Sequence, residues 1–314
     1  MLIATGIMAI GLVMVATIFP VGVKLTALTT ERTIAAVVAD EAFAKIQLYG
    51  LRDFEFPDGS PKWVVLDPSI ACSDFQYVTS YTGPDGFADN GDETVASYGA
   101  NGSLGGGDDV YLTQYPSTPL PAGQRHNYHW SALCRRVGAK NVQVTVFVTR
   151  KIAAASLYRA WDYDPTVPDF VANAANPWPK PVPVNVQYNY NNQDPPPLRE
   201  LVLDTTDTIN AEWDSDLGQT DVVFRFFDEG YTIVNNRDGK IYRVLEMKDA
   251  DDNGIRETIV LQQDWQWFGY DSNPLNPPIT AQLETIWLVP PAAGSGRYPC
   301  VGVYQKVIRF DGIK

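Results

Sequence analysis

One run in this chain has the composition of a hard-cation site. Within KDADDNGIRE, residues Asp249, Asp251, Asn253 and Gly254 follow the order D-x-D-x-N-G. Calcium takes several oxygen ligands, and acids at alternate positions on a tight glycine turn converge on one point. The carbonyl of Ile255 and the carboxylate of Glu257 would extend the set. Val260 stands where a helix–loop–helix calcium site places its bidentate Glu, and the flanking runs read as strands. The expectation is therefore a hairpin loop of calcium-binding composition; the plainer alternative is a solvated acidic turn.

Other chemistry-bearing residues are sparse. Asp85, Asp89, Asp92, Glu93, Asp108 and Asp109 crowd a Gly/Asn-rich stretch without regular spacing, as a solvated loop does. His126 and His129, the two histidines of the chain, sit in RHNYHW, where a surface position or packing against aromatics is the expected role. Of the three cysteines, Cys72 and Cys134 are the candidate disulfide pair, with Cys300 as an alternative partner. There is no CxxC, which removes a zinc ribbon or a thioredoxin-type site. G-x-S-x-G, H-E-x-x-H, the P-loop and a helix-opening G-x-G-x-x-G are also missing, so no enzyme motif stands out. Eight tryptophans and sixteen tyrosines suit either a β core or sugar binding.

The elements that carry these residues divide sharply. MLIATGIMAIGLVMVATIFPVGVKL has no charge before Lys24 and is long enough to cross a bilayer, which takes about 20 apolar residues. No Lys or Arg precedes the apolar run, which argues against a signal peptide. From Lys24 to Tyr49, Leu25, Leu28, Ile34, Val37, Val38, Ala42 and Ile46 recur at helical spacing. An apolar helix thus continues as an amphipathic one, with Pro20 and Gly22 expected to kink or locally melt the join. Such a rod would be roughly 70 Å long.

After Gly50 the pattern turns to strands. Val142, Val144, Val146 and Val148 alternate along one face, Asn236-Arg237-Asp238-Gly239 signals a hairpin, and YQKVIRF reads as a closing strand. DVVFRFFDEG also reads as a strand run, and a short helix is expected near 152–160. The fold class expected is α+β: a long N-terminal helix (1–50) followed by an antiparallel β-rich head. The head divides into a first part (51–162), a Pro-rich connector (163–199) and a C-terminal β part (200–314). A net charge of −13 over 314 residues disfavours nucleic acid as a partner, which needs a basic footprint.

GIMAIGLVMVATIFPVG resembles the N-terminal helix of type IV pilins and of type II secretion pseudopilins. The likeness covers residues 1–50 only. It implies a structural subunit of a pilus-like or pseudopilus filament, stored in the inner membrane and handed to an inner-membrane assembly platform. Its partners would be copies of itself or sister subunits, and its head would end outside the inner membrane, in a periplasmic or extracellular filament. The small residues Ala4, Gly6, Ala9, Gly11 and Ala16 would then let neighbouring helices approach closely. Pseudopilin heads hold calcium in loops comparable to 249–257. Thr5 stands where the family carries an acid, so either Met1 is an internal start or this subunit lacks the acid, as tip subunits of the family do. The competing reading is a membrane-anchored surface domain that binds glycans through exposed aromatics.

Overall fold

The computed structural model describes residues 2–49, 76–77, 95–97, 110–111, 114–116, 126–137, 141–153, 155–163, 170–176, 178–188, 199–203, 223–249, 257–265, 284–292 and 298–309. One helix, α1 (Leu2–Tyr49), fills the N-terminal part. It runs unbroken through Pro20 and Gly22, so the local melting expected there is not seen. Proline removes only one backbone bond of the ladder, and the turns on both sides remain intact.

Strands follow in the order β1 (Gln76–Tyr77), β2 (Val95–Ser97), β3 (Val110–Tyr111), β4 (Gln114–Tyr115), β5 (Tyr128–Arg136), β6 (Asn141–Arg150), β7 (Tyr158–Tyr163) and β8 (Phe170–Asn176). The second half adds β9 (Val182–Tyr188), β10 (Glu200–Leu203), β11 (Thr232–Asn235), β12 (Ile241–Lys248), β13 (Thr258–Leu261), β14 (Glu284–Leu288) and β15 (Cys300–Arg309). Every pairing among them is antiparallel. The order β1-β5-β6-β15, with β4 also on β5, makes one sheet, and β10-β13-β12-β11-β14-β9 closes into a barrel. The pairs β2–β3 and β7–β8 stand apart from both.

Period-two alternation makes the sheet two-sided. On β6, Val142, Val144, Val146 and Val148 lie under α1, together with Trp130, Ala132 and Cys134 of β5 and Ile308 of β15. From the helix come Ala35, Val38, Ala39, Ala42, Phe43 and Ile46, all buried. The opposite face turns Leu133 and Phe147 toward Val234, Trp287 and Val289 of the barrel side. The sheet is thus sandwiched between the second half of the helix and the barrel. Full burial stabilises by about 1.5–3 kcal/mol for a side chain the size of Val, Ile or Phe, so this seat fixes the helix firmly.

Inside the barrel, Val182, Val184, Val186, Leu201, Ile233, Tyr242, Val244, Ile259, Leu261, Ile286 and Leu288 form the core. Glu284 shares the phase of Ile286 and Leu288 and is buried with them. The indole N–H of Trp265 donates to it at 3.1 Å and the Asn235 amide at 3.4 Å, while Arg237 lies 3.6 Å away. Burial still raises its pKa, against those donors. The β11–β12 turn follows the expected chemistry: Asn235 Oδ1 accepts from the Arg237 N–H at 2.7 Å, and Gly239 takes φ +73°. That left-handed conformation is the one glycine adopts without a Cβ clash.

Four expectations are corrected. Residues 163–199 are not a plain connector, since they hold the whole of β8 and of β9, the latter a barrel stave. Pro183 is accommodated in β9 opposite Trp287, and the Val182-Val184-Val186 alternation outweighs it. The run 221–230 contains a 3-10 turn at Val223–Phe226, not a strand. Tyr158 begins strand β7, so no helix fills 152–160. Finally, β15 returns to pair with β6, which joins the two halves of the head in one sheet.

Candidate functional site

The helix and its seat on the head are the feature with the clearest functional geometry. The first side chain of α1 in the helix–sheet core is the half-buried Ile34, and the fully buried stripe starts at Ala35. Everything described before Glu31 is exposed, including Met8, Leu12, Val13, Met14, Ile18, Phe19, Val21 and Val23. Of the amphipathic stripe expected from spacing, Val38, Ala42 and Ile46 are buried on the head, whereas Leu25, Leu28 and Val37 are exposed. Leu28 is in phase with Ala35 and Ala42 but precedes the seat, and Val37 lies on the opposite side of the helix.

The hydroxyls on the exposed stretch are turned inward. Thr26, Thr29, Thr30 and Thr33 each donate to the carbonyl four residues back at 2.9–3.0 Å, and Thr17 donates to Met14 O at 2.9 Å. This removes five donors from the surface and suits an apolar environment. An open apolar groove of about 810 Å³ runs along Ile18, Phe19, Gly22, Val23, Thr26, Ala27 and Thr30, ending at Glu31. A Cβ added at Gly11 or Gly22 would meet nothing within 4 Å.

Of the expected small-residue positions, Ala4, Gly6, Ala9, Gly11 and Ala16 all lie within α1; the side-chain environment is described for Gly11 and Ala16, both exposed. Pro20 and Gly22 are exposed in the same continuous helix. Polar contacts begin where the head does. Arg150, the last residue of β6, donates from its guanidinium to the Glu31 carboxylate. The Tyr304 hydroxyl donates to Arg32 O at 3.4 Å, and Lys306 sits 5.8 Å from the centre of the Phe43 ring. Lys45 is buried beside Glu41 at 2.8 Å, and desolvation lowers its pKa against the pull of that carboxylate. Arg150 and Tyr304 carry no pattern in the sequence that points to a helix contact; only the register of β6 and β15 brings them there.

The calcium candidates are partly placed. Asp249 follows β12 and Glu257 precedes β13, and the Lys248↔Thr258 pairing sets the two acids opposite each other at the base of a hairpin loop. Asp251, Asn253 and Ile255 lie outside the described residues. The strand flanks agree with a hairpin. Among the described residues, no group of three or more His, Cys, Asp or Glu side chains is arranged around a common point.

Cys134 and Cys300 are both free thiols, and Cys72 lies outside the described residues, so the Cys72–Cys134 bridge is not seen from the Cys134 side. The alternative Cys134–Cys300 bridge is ruled out by topology. The two strands lie on opposite sides of β6, about 10 Å apart, and a disulfide spans a Cα separation of at most about 7 Å. Burial pushes both thiols up, Cys300 to about 12. His129 is buried and stacked on Trp178, ring centres 5.2 Å apart, as an aromatic-packing role requires. Burial, helped by nearby Lys180, lowers its pKa to about 3, so it is neutral at physiological pH.

No protein-family model matches the chain, and no characterised protein or solved structure is significantly similar to it.

Proposed function

We propose that this chain is a structural subunit of a type IV pilus-like or pseudopilus filament, and that it performs no chemistry. The apolar half of α1 holds the subunit in the inner membrane, and the same surface packs against copies of itself or sister subunits once an inner-membrane assembly platform extracts it. The head is carried outside the inner membrane, into a periplasmic or extracellular filament. Calcium, if bound, would sit in the loop between Asp249 and Glu257 and stiffen the β12–β13 hairpin.

The observation that supports this reading best is the length of helix that precedes the seat on the head. From Leu2 to Thr30 the helix runs about 43 Å, whereas the hydrocarbon core is about 30 Å thick. Leu25, Leu28 and Val37 therefore expose apolar side chains past Lys24, outside the hydrocarbon core, where the head does not cover them. A simple anchor leaves those residues among headgroups or in water; neighbouring helices would cover them.

The test is a Leu28→Glu variant compared with the parent chain in sheared surface material. Parent filaments that vanish in the variant, with membrane insertion unchanged, support the reading. A parent chain found only as a membrane-bound monomer, or a variant that assembles normally, refutes it.

A further inference from the structure

The acidity of the protein is unevenly spread. Strands β5, β6 and β15 carry Arg135, Arg136, Arg150, Lys306 and Arg309 and no Asp or Glu, in a chain of net charge −13. Of these, Arg150 lies at the end of the sheet where α1 leaves the head, and the other four lie toward the far end. Arg150 closes β6 against Glu31, and Lys151 follows, its backbone N–H donating to Asn127 O at 2.8 Å. The Lys151 ammonium sits 4.9 Å from the centre of the Trp178 ring, and Lys180 lies two residues on from that Trp. Arg32, the residue after Glu31, is exposed, and Leu157 is exposed on the loop between β6 and β7. Glu31, the acid in contact with this rim, is already paired with Arg150.

The helix fixes the height of this rim above a membrane. Lys24 is the first charge after the apolar run, and Glu31 lies seven residues later, about 10 Å along the axis. A headgroup layer is about 5–8 Å deep on each side of the bilayer. Lysine and arginine side chains reach several ångströms, and the field of anionic lipid extends a Debye length, about 8 Å at physiological salt. A tryptophan beside cations is also the composition of an interfacial belt.

We propose that the helix-proximal rim of the head, Arg32, Lys151, Lys180 and Trp178, docks on anionic phospholipid headgroups and holds the head upright on the bilayer before assembly. The inference rests on the membrane-storage half of the proposed function. It adds an orientation: the end of the sheet at Arg150 and Lys151 faces the lipid.

The test uses the full chain, in a Cys72→Ser background with Leu157→Cys carrying a fluorophore, reconstituted into vesicles with headgroup-labelled acceptor lipid. Energy transfer should be higher in phosphatidylcholine vesicles containing about a third phosphatidylglycerol than in phosphatidylcholine alone, and should fall as salt is raised. Reversing Arg32, Lys151 and Lys180 to Glu should cut the head-down population about a hundredfold or more, at about fivefold for each cation lost. Reversing Lys306 and Arg309, at the other end of the same sheet, should leave transfer unchanged. Transfer in the unsubstituted rim that ignores lipid charge and salt overturns the proposal, whether or not the triple variant folds. Equal losses from the two ends overturn it as well. A chain that alkaline washing strips from the vesicles overturns the membrane-storage reading, and this inference with it.

Discussion

Val37 and Val38 are adjacent in sequence and opposite in fate, which makes them a sharp probe of how the helix sits on the head. Val38 is 0% exposed against the valines of β6, whereas Val37 is 47% exposed. Truncating Val38 to Ala removes two methyl-sized groups from the helix–sheet core. Transfer alone costs about 0.8 kcal/mol per group, and the residual cavity raises the total to about 2–3 kcal/mol. The same change at Val37 deletes half-hydrated surface and should cost about 0.5 kcal/mol or less. Urea unfolding in mild detergent, followed by tryptophan fluorescence, reads the difference, since Trp130 lies in the same cluster as Val38. With a slope of about 3 kcal/mol per molar for a head this large, Val38→Ala should lower the midpoint by about 0.7–1 M. Val37→Ala should move it by less than about 0.2 M. Equal shifts, or a larger one at Val37, would mean that the helix is rotated on the sheet and the face left for neighbours is misassigned.

Three further predictions concern the head. His129, with a pKa near 3 when folded, must take up a proton on unfolding at mildly acid pH. A depressed histidine pKa means the unfolded state binds the extra proton below about 6.5, so its contribution to stability falls by about 1.4 kcal/mol for each pH unit from there toward 3. His129→Phe should flatten that part of the stability profile. Glu284 runs the other way, because its raised folded pKa favours the native state when it is protonated. Glu284→Gln should therefore match or exceed the parent by up to about 1 kcal/mol at pH 8, with the gain shrinking as pH falls, as followed by thermal unfolding. Gly239→Ala, at φ +73°, should cost about 1 kcal/mol and lower the midpoint in the same assay; an unchanged midpoint would show that the turn relaxes.

Much of the architecture is written in local pattern. The valine alternation of β6, the Asn-Arg-Asp-Gly turn and the uncharged N-terminal run each encode their element within a few residues, and the helix, hairpin and buried face appear where those patterns fall. What is not local is harder to see. The sandwiching of the sheet between helix and barrel depends on β15 returning across more than half the chain to β6. The prolines of 163–199 suggest an extended connector and mask the period-two signal of Val182, Val184 and Val186. In the helix, spacing alone groups Leu25, Leu28, Val37 and Val38 into one stripe. The packed structure divides them: Val38 joins the buried face of Ala35, Ala39 and Phe43, Val37 falls on the opposite side, and Leu25 and Leu28 precede the seat. Small residues such as these two alanines add little to an apolar pattern but permit close approach of helix to sheet. The Arg150–Glu31 pair that marks the lower edge of the seat has no short-range signature.

The most direct test of the account is electron cryomicroscopy of filaments sheared from cells that express this chain. The account predicts a central bundle in which residues 2–30 of each copy pack on the same region of other copies, with the sheet and barrel outside. Filaments lacking the chain, or density in which those residues fold back on their own head, would contradict it.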